Sequence, residues 1–173
     1  MSDTKRVNAF GASMIFQPLT LEGAKAVLPL RNRMAAALRT DAPVNEEDQE
    51  AWWYHATKRD ANQRWWELRT ADSFRGYCGI EGIDWIARTG ELSILVDGTD
   101  DEWRGVFDRL HNLAFDELNL KEVHAEVYHS SPDRHRWLEA AHVFGVRPIT
   151  LPMRKFSGGR MWDADYLSWR LPV

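Results

Sequence analysis

The stretch from Gly90 to Tyr128 decides the fold and reads GELSILVDGTDDEWRGVFDRLHNLAFDELNLKEVHAEVY. The short apolar run at its start and the alternation of apolar and charged residues at its end are both typical of strands. Between them, apolar residues recur at helical spacing from Trp103 to Leu118. A strand–helix–strand connection normally joins parallel strands through a right-handed crossover. We therefore predict that the strands at Glu91–Val96 and Lys121–Tyr128 run parallel, joined by a helix that ends near Leu118.

The segment between the first strand and this helix is acidic. Thr99 and Glu102 have the spacing of a capping box, and Asp100 and Asp101 fall in the first helical turn. In sheets of this kind, ligands bind beyond the carboxyl ends of the strands, where a helix N-terminus presents free amides to an anion. Here the carboxylates complement the helix dipole from within the chain, and they would repel a phosphate. No glycine-rich loop precedes the helix.

The remaining patterns complete one mixed sheet. In chain order they predict a strand at 14–19, a helix from Thr20 that Pro29 breaks, a helical run over 31–39, a helix from Asn45 to about Lys58, meander strands at 64–71, 75–87 and 91–96, the crossover, a helix that begins at 131–133, and a hairpin of 147–156 with 161–171. The predicted fold class is mixed α/β (α+β): one sheet with an antiparallel meander, one parallel crossover and helices on both faces.

Composition limits the function classes. The chain has 173 residues and a formal net charge of −4, from 22 basic and 26 acidic residues, which argues against broad nucleic-acid binding. Its one cysteine, Cys78, excludes an intramolecular disulfide and a cysteine-built zinc site, and the histidine spacings match no metal-ligand pattern. We expect a single domain over 1–173 with a loose N-terminus at 1–12. Without an apolar signal core or a membrane-spanning stretch, we expect a cytoplasmic protein.

Five segments along the chain resemble a known family in their order and spacing. They are Phe16–Thr20 with Leu30–Asn32, Gly76–Val96, Leu113–Leu120, Arg136–Ala141 and Trp162–Tyr166. Together they resemble the GNAT superfamily of N-acetyltransferases, and within it the branch that acetylates ribosomal-protein amino termini, amino sugars and similar amines. The resemblance covers nearly the whole chain.

The resemblance implies an N-acyltransferase that moves an acyl group from acetyl-CoA, or another acyl-CoA, to a small-molecule or protein amine by direct attack. Such a reaction needs a base for the amine and a proton donor for the departing thiolate. By position in the family's pattern, Glu81 is the candidate base and Tyr166 the candidate acid. Strand alternation puts Glu81 on one face with Tyr77, Ile83 and Trp85, a setting that would raise the carboxyl pKa. A solvent-facing glutamate and a core tyrosine are the alternatives.

The implied cofactor-binding residues are Leu95, Val96, Arg104, Gly105 and Ser131. The family's pyrophosphate loop is replaced here by the acidic segment at 97–102, and only Arg104-Gly105 resembles a remnant of it. Ser131 falls near the family's pantetheine-contacting asparagine, although helix capping also explains it. We therefore expect CoA binding to be weak or absent.

The implied amine site is lined by Arg31, Asn32, Trp52 and Trp53. Adjacent tryptophans diverge on a helix as on a strand, so the pair at 52–53 and the pair Trp65-Trp66 each direct one ring toward the surface or a cleft. Such rings are compatible with an aromatic wall that faces the substrate, and equally with a homodimer surface.

Two further functions stay open. The same fold, without CoA binding, would serve as a binding or assembly module. A member that binds another ligand, such as a nucleotide or nucleic acid, against its aromatic surfaces is a third alternative that the net charge disfavours. Cys78 lies within a predicted strand, so we interpret it as a buried thiol rather than a nucleophile.

Overall fold

The computed structural model describes residues 14–39 and 42–171, so the expected loose N-terminus at 1–12 lies outside the described residues. The strands in chain order are β1 (Ile15–Pro18), β2 (Arg64–Arg69), β3 (Phe74–Asp84), β4 (Thr89–Val96), β5 (Glu122–Tyr128), β6 (Ile149–Ser157) and β7 (Arg160–Arg170). The α-helices are α1 (Leu21–Ala26), α2 (Leu28–Arg33), α3 (Glu46–Tyr54), α4 (Asp100–Asn112) and α5 (Arg134–Val143). A 3-10 turn follows α2 at Ala35–Ala37, and π-helical turns extend α3 and α4.

The strands form one mixed sheet in the order β1-β2-β3-β4-β5-β7-β6. β2, β3 and β4 make the antiparallel meander, and β4 pairs with β5 in parallel, with α4 as the crossover helix. The predicted fold class and the parallel pair are therefore confirmed. No helix among the described residues is both long and apolar enough to cross a bilayer.

Each face of the sheet carries its own apolar core. Cys78 and Ile94 belong to the larger cluster, which α4 and α5 cover. Their strand neighbours Tyr77 and Leu95 belong to a second cluster, covered by α1 and the segment around α3. Because successive side chains of a strand point to opposite faces, this alternation places helices on both sides of the sheet, as predicted.

One face assignment on β3 was wrong. The ladder between β3 and β4 shifts between Glu81 and Asp84, and Gly82 within this bulge has φ 58°. The extra residue reverses the alternation, so Ile83 packs in the larger core with Cys78 instead of sharing a face with Tyr77. A two-residue period cannot reveal a bulge, and Gly82 was the available signal because glycine tolerates a positive φ.

Helix starts also differ from the predictions. Pro29 does not break a helix but lies in the first turn of α2, where its missing N–H leaves no hydrogen bond unmade. The run expected over 31–39 ends at Arg33. α4, in contrast, begins at Asp100, where the capping box at Thr99 predicts its first turn. α5 begins at Arg134, and in the turn just before it the Ser131 hydroxyl accepts a hydrogen bond from the Asp133 amide.

Candidate active site

A cleft opens where β4 and β5 separate. Their ladder pairs only Thr89–Glu91 with Glu122–His124, after which each strand follows its antiparallel partner on the other side. The cleft between their carboxyl-terminal halves has a volume of about 240 Å³. Its lining comes from five parts of the chain: Ala37–Arg39, Glu81, Glu91–Ile94, Ala125–Tyr128, and the group Ser131, Asp133 and Trp137. This is the edge at which sheets with parallel strands bind ligands.

One end of the cleft is acidic. Glu81 and Glu91 lie directly opposite each other in the β3–β4 register, so their carboxyl groups share a face. Arg39 Nη2 donates to both Glu91 oxygens, at 2.8 and 3.0 Å. Burial raises the pKa of Glu81 and repulsion from Glu91 adds to the rise, while Arg39 lowers it. A carboxyl group in this setting is suited to accept a proton near neutral pH. We name Glu81, Glu91 and Arg39 the acceptor end.

Tyr128 is a cleft residue that the sequence reasoning missed. Its ring is buried, with 3% exposed, and Arg39 Nε donates to its hydroxyl at 3.4 Å. Burial raises the pKa of Tyr128, so the hydroxyl keeps its proton at neutral pH and can donate it. Its place as the last residue of β5, at the carboxyl edge of a strand next to the crossover, was the signal that could have identified it.

A second cavity of about 300 Å³ lies beside the first, at the start of α4. Arg136 Nε donates to Asp100 Oδ1 at 2.7 Å, and Arg136 Nη2 donates to the Gly98 carbonyl at 2.9 Å. The hydrogen bond from Arg136 to Asp100 is the main cause of the lowered pKa of Asp100. Arg33 forms a second ion pair with Asp97, at 2.8 Å. We name this cavity the donor end.

Two amides at the start of α4 have side-chain partners from within the chain. Glu102 N donates to Thr99 Oγ1 at 3.2 Å and Thr99 N donates to Glu102 Oε2 at 2.8 Å, which completes the predicted capping box. Arg75 Nη2 also donates to Glu102, at 3.0 Å. A diphosphate at this helix start would meet occupied amides and three carboxylates in the first turn.

Asp133 connects the two ends. It lines both cavities, and only 7% of it is exposed. Arg136 Nη1 donates to its carboxylate at 3.1 Å. Burial raises the pKa of Asp133 although Arg136 lowers it. A ligand that extends from one cavity to the other would pass this side chain.

The two predicted catalytic residues lie in different places. Glu81 lines the cleft. Tyr166 lies on β7, opposite Glu126 of β5, and its ring stacks on His124 with centroids 5.3 Å apart. Burial raises the pKa of Tyr166, and Glu122 adds to the rise. Tyr166 is not among the residues that line either cavity, whereas Tyr128 is.

The predicted cofactor residues are also divided. Ser131 lines the cleft and Val96 lines the second cavity. Leu95 points to the opposite core, where it packs with 1% exposed. Arg104 forms an ion pair at 2.9 Å with the carboxylate one helical turn later, and Gly105 is exposed on the same helix. Neither Arg104 nor Gly105 lines a cavity. Of the predicted cofactor residues, only Ser131 and Val96 do, and each lines a different one.

The predicted amine-site residues on α2 lie outside both cavities. The Asn32 side chain donates to Val44 O and accepts from Val44 N, both at 2.9 Å, and so holds the loop before α3. Arg31 interacts with the hydroxyl of Tyr77, whose pKa burial raises to about 12. Asn32 thus has a structural partner in the loop before α3, and Arg31 has one in the smaller core.

The predicted amine-site tryptophans on α3 also pack against this core. The Trp52 ring packs edge-on against Trp65, with centroids 5.0 Å apart. Trp53 Nε1 donates to the Leu19 carbonyl at 3.0 Å. Each ring is partly buried, and neither lines a cavity.

The described residues contain neither an exposed thiol nor a cluster of metal-ligating side chains. Cys78 is fully buried, and burial raises the pKa of its thiol. Within 14–39 and 42–171, no group of three or more His, Cys, Asp or Glu side chains could hold a metal ion.

Comparisons with known proteins bear on the fold. No family model matches the chain, and no curated protein matches it significantly. The structure of spermidine N-acetyltransferase from Vibrio cholerae in complex with CoA and spermine superposes with a TM-score of 0.80 at 17% identity, over 92% of this chain and 96% of that chain. A dodecameric structure of spermidine N-acetyltransferase from Vibrio cholerae, in an intermediate state, gives a TM-score of 0.75 at 18% identity, over 92% and 95%. At this identity the likeness shows the fold alone, and it is the GNAT N-acetyltransferase fold.

Proposed function

We propose that this protein transfers an acyl group from an acyl-CoA to an amine that reaches the site as a cation. The observation that carries the proposal is the pair Glu81 and Glu91, opposite each other in the cleft between the separating strands β4 and β5. An ammonium group is attracted to such carboxylates, and a carboxylate of raised pKa can take its proton. The acceptor is a small-molecule amine, for which spermine, bound in the neighbouring enzyme, is a template, or a protein amine.

The proposed reaction is a direct attack within a ternary complex. Glu81 takes a proton from the ammonium group, and the amine nitrogen then attacks the thioester carbonyl. The new C–N bond forms as the C–S bond breaks, and the departing thiolate takes a proton from a tyrosine hydroxyl. The nitrogen, which is cationic after the attack, loses its second proton, and this proton restores the tyrosine hydroxyl, while Glu81 gives up its own proton. Tyr128 lines the cleft, and Tyr166, the donor that the resemblance implies, lies outside the lining. One proton is released to solvent in each turnover.

The residues present fit one part of an acyl-CoA better than another. The cleft between β4 and β5, with Ser131 and Val127 in its wall, suits an extended chain such as the pantetheine arm. The capped start of α4 does not suit the diphosphate, because Asp97, Asp100 and Asp101 add negative charge there. The donor is therefore proposed to bind weakly.

The test is an acylation assay with a panel of amines. Purified protein, acetyl-CoA at several concentrations up to the millimolar range, and mono-, di- and polyamines would be followed by release of free thiol and by the mass of the product. We expect thiol release that depends on the amine and is greatest for amines that carry additional cationic groups. Amine-independent hydrolysis, or no thiol release with any amine, would contradict the proposal.

A second candidate function is a binding or assembly module of the same fold that does not bind CoA. The capping box and the Arg136–Asp100 ion pair at the start of α4 favour it. Calorimetric titration with acetyl-CoA discriminates the two, because a module without a donor site gives no saturable heat.

We also propose that residues 1–173 act as one domain in a homodimer or a larger assembly. The continuous sheet supports one domain, because strands from both ends of the described chain belong to it. Oligomers are described for the neighbouring acetyltransferase. Light scattering coupled to size-exclusion chromatography measures the assembly, and a monomer at micromolar concentration would contradict it.

A further inference from the structure

Three basic side chains meet at the donor end. Arg33 comes from α2, and His135 and Arg136 come from α5, and all three line the same cavity beside Val96 and Gly98. No one segment supplies this group, because α2 and α5 lie about one hundred residues apart in the sequence. The cavity thus has a set of basic side chains that is independent of the backbone amides of α4.

Each of these basic side chains lies near a carboxylate of the acidic segment. Asp97 pairs with Arg33 at 2.8 Å, and Asp100 pairs with Arg136 at 2.7 Å and approaches His135 Nε2 at 3.5 Å. The side chains of both aspartates are more than 60% exposed. Exposed pairs of this kind contribute little net free energy, so a multiply charged anion can replace a carboxylate in them.

We propose that Arg33, His135 and Arg136 form a side-chain site for a diphosphate, in which Asp97 and Asp100 are exchangeable internal counter-ions. The proposal rests on the acyl-CoA function proposed above and identifies where the donor's anionic part binds. The diphosphate lies between α2 and α5, on side chains, rather than on the amides of α4 that the capping box occupies.

The position of the cavity supports this assignment. Asp133 lines both cavities, so an extended chain in the cleft between β4 and β5 leads directly to the three basic groups. Arg136 is the best placed of the three. Only 14% of its side chain is exposed, and the Gly98 carbonyl and Asp133 hold its Nη atoms while Nε faces Asp100. An anion could replace Asp100 without repositioning the guanidinium.

The test compares two neighbouring aspartates. Asp100→Asn removes the partner of Arg136. Asp101→Asn removes the same charge from the same helical turn, but Asp101 forms no ion pair with any described residue. Binding of inorganic pyrophosphate and of CoA would be measured by calorimetry, with pantetheine as a ligand that has no phosphate. We expect Asp100→Asn to tighten pyrophosphate binding about fivefold to tenfold, and Asp101→Asn to change it less than about threefold.

Variants of the basic residues complete the test. Arg136→Gln in the Asp100→Asn background should abolish the gain, and Arg33→Gln, at an exposed position, should weaken pyrophosphate binding without loss of folding, as judged by thermal unfolding. Equal effects of the two aspartate variants, or a gain that survives Arg136→Gln, would overturn the site. Because pyrophosphate binding needs no acyl transfer, pyrophosphate binding without any acylation would leave the site standing and remove only the proposed function.

Discussion

At both the acceptor end and the donor end, the chain itself supplies counter-ions for the charged groups that line the site, and the charges have opposite signs at the two ends. At the acceptor end, the carboxylates Glu81 and Glu91 are in excess and Arg39 supplies the cation. At the donor end, Arg33 and Arg136 supply the cations and the acidic segment provides the counter-ions. In both, the chain carries a group with the charge of the proposed ligand. Ligand affinity at either end is therefore the difference between two ion pairs, which is smaller than either pair alone suggests.

The largest effect is expected at the donor end. Carboxylates within a few ångströms of a diphosphate each cost on the order of 1 kcal/mol when exposed. Together they should weaken binding by roughly 10²- to 10³-fold, so we expect acetyl-CoA to bind with a dissociation constant on the order of 0.1 mM or worse. Asp100→Asn combined with Asp101→Asn should tighten it. Calorimetry measures the dissociation constant of acetyl-CoA for the unmodified protein and for the double variant. A micromolar constant for the unmodified protein, or a diphosphate seen on the amides of residues 98–105, would contradict this expectation.

The next effect is expected at the acceptor end. Glu81→Gln should lower turnover at neutral pH by roughly 10²-fold or more, and should change acyl-CoA affinity much less, because the base acts only on the amine. The folded-state pKa of Glu81 is raised, so its carboxylate forms only as pH rises above the ordinary value of 4.5, and turnover should rise with it. Steady-state kinetics across pH measure the loss of turnover in Glu81→Gln and the pH dependence of turnover in the unmodified protein. Unchanged turnover in the variant would remove Glu81 from the mechanism.

A smaller effect separates the two tyrosines. If Tyr128 protonates the thiolate, Tyr128→Phe should lower turnover by about tenfold or more, whereas Tyr166→Phe, outside the cleft lining, should lower it less. Each variant removes only a hydroxyl, so each is the control for the other. The reverse order of effects would restore Tyr166, the donor that the resemblance implies.

The smallest effect concerns the internal cation of the acceptor end. Arg39→Gln leaves Glu91 unpaired, so KM for a cationic amine should fall by about two- to fivefold. Arg39 also lowers the pKa of Glu81, so its loss should move the pH profile of turnover upward. Arg170→Gln, which breaks an Arg–Glu pair at 2.9 Å outside the cleft, is the matched control. A KM that rises in Arg39→Gln alone would show that the guanidinium assists binding.

Local patterns predicted the parts of the molecule that local physics determines. The crossover between β4 and β5 followed from periodicity, and the capping box followed from the spacing of Thr99 and Glu102. The bulge at Gly82 was missed because alternation assumes an unbroken ladder.

The site was less predictable because its contacts are distant in the sequence. Arg39 meets Glu91 across 52 residues and Tyr128 across 89, and Arg136 meets Asp100 across 36. No spacing rule links such positions, so only Glu81, Val96, Ser131 and the acidic segment could be anticipated. Of the α3 tryptophans, Trp52 packs with Trp65 and Tyr77, and Trp53 donates to the Leu19 carbonyl, so an aromatic wall or dimer surface built from them stays a prediction.

The shared position of Asp133 makes proton exchange a reporter of donor binding. Its carboxyl is nearly buried, and Arg136 is the cation that keeps its pKa from rising further. A diphosphate that pairs with the Arg136 guanidinium would weaken its stabilisation of the ionised Asp133 carboxylate. Asp133 should therefore take up a fraction of a proton as the donor binds. The observed binding enthalpy should then vary with the ionisation enthalpy of the buffer. By linkage, donor affinity should increase as the pH falls through the range in which Asp133 titrates.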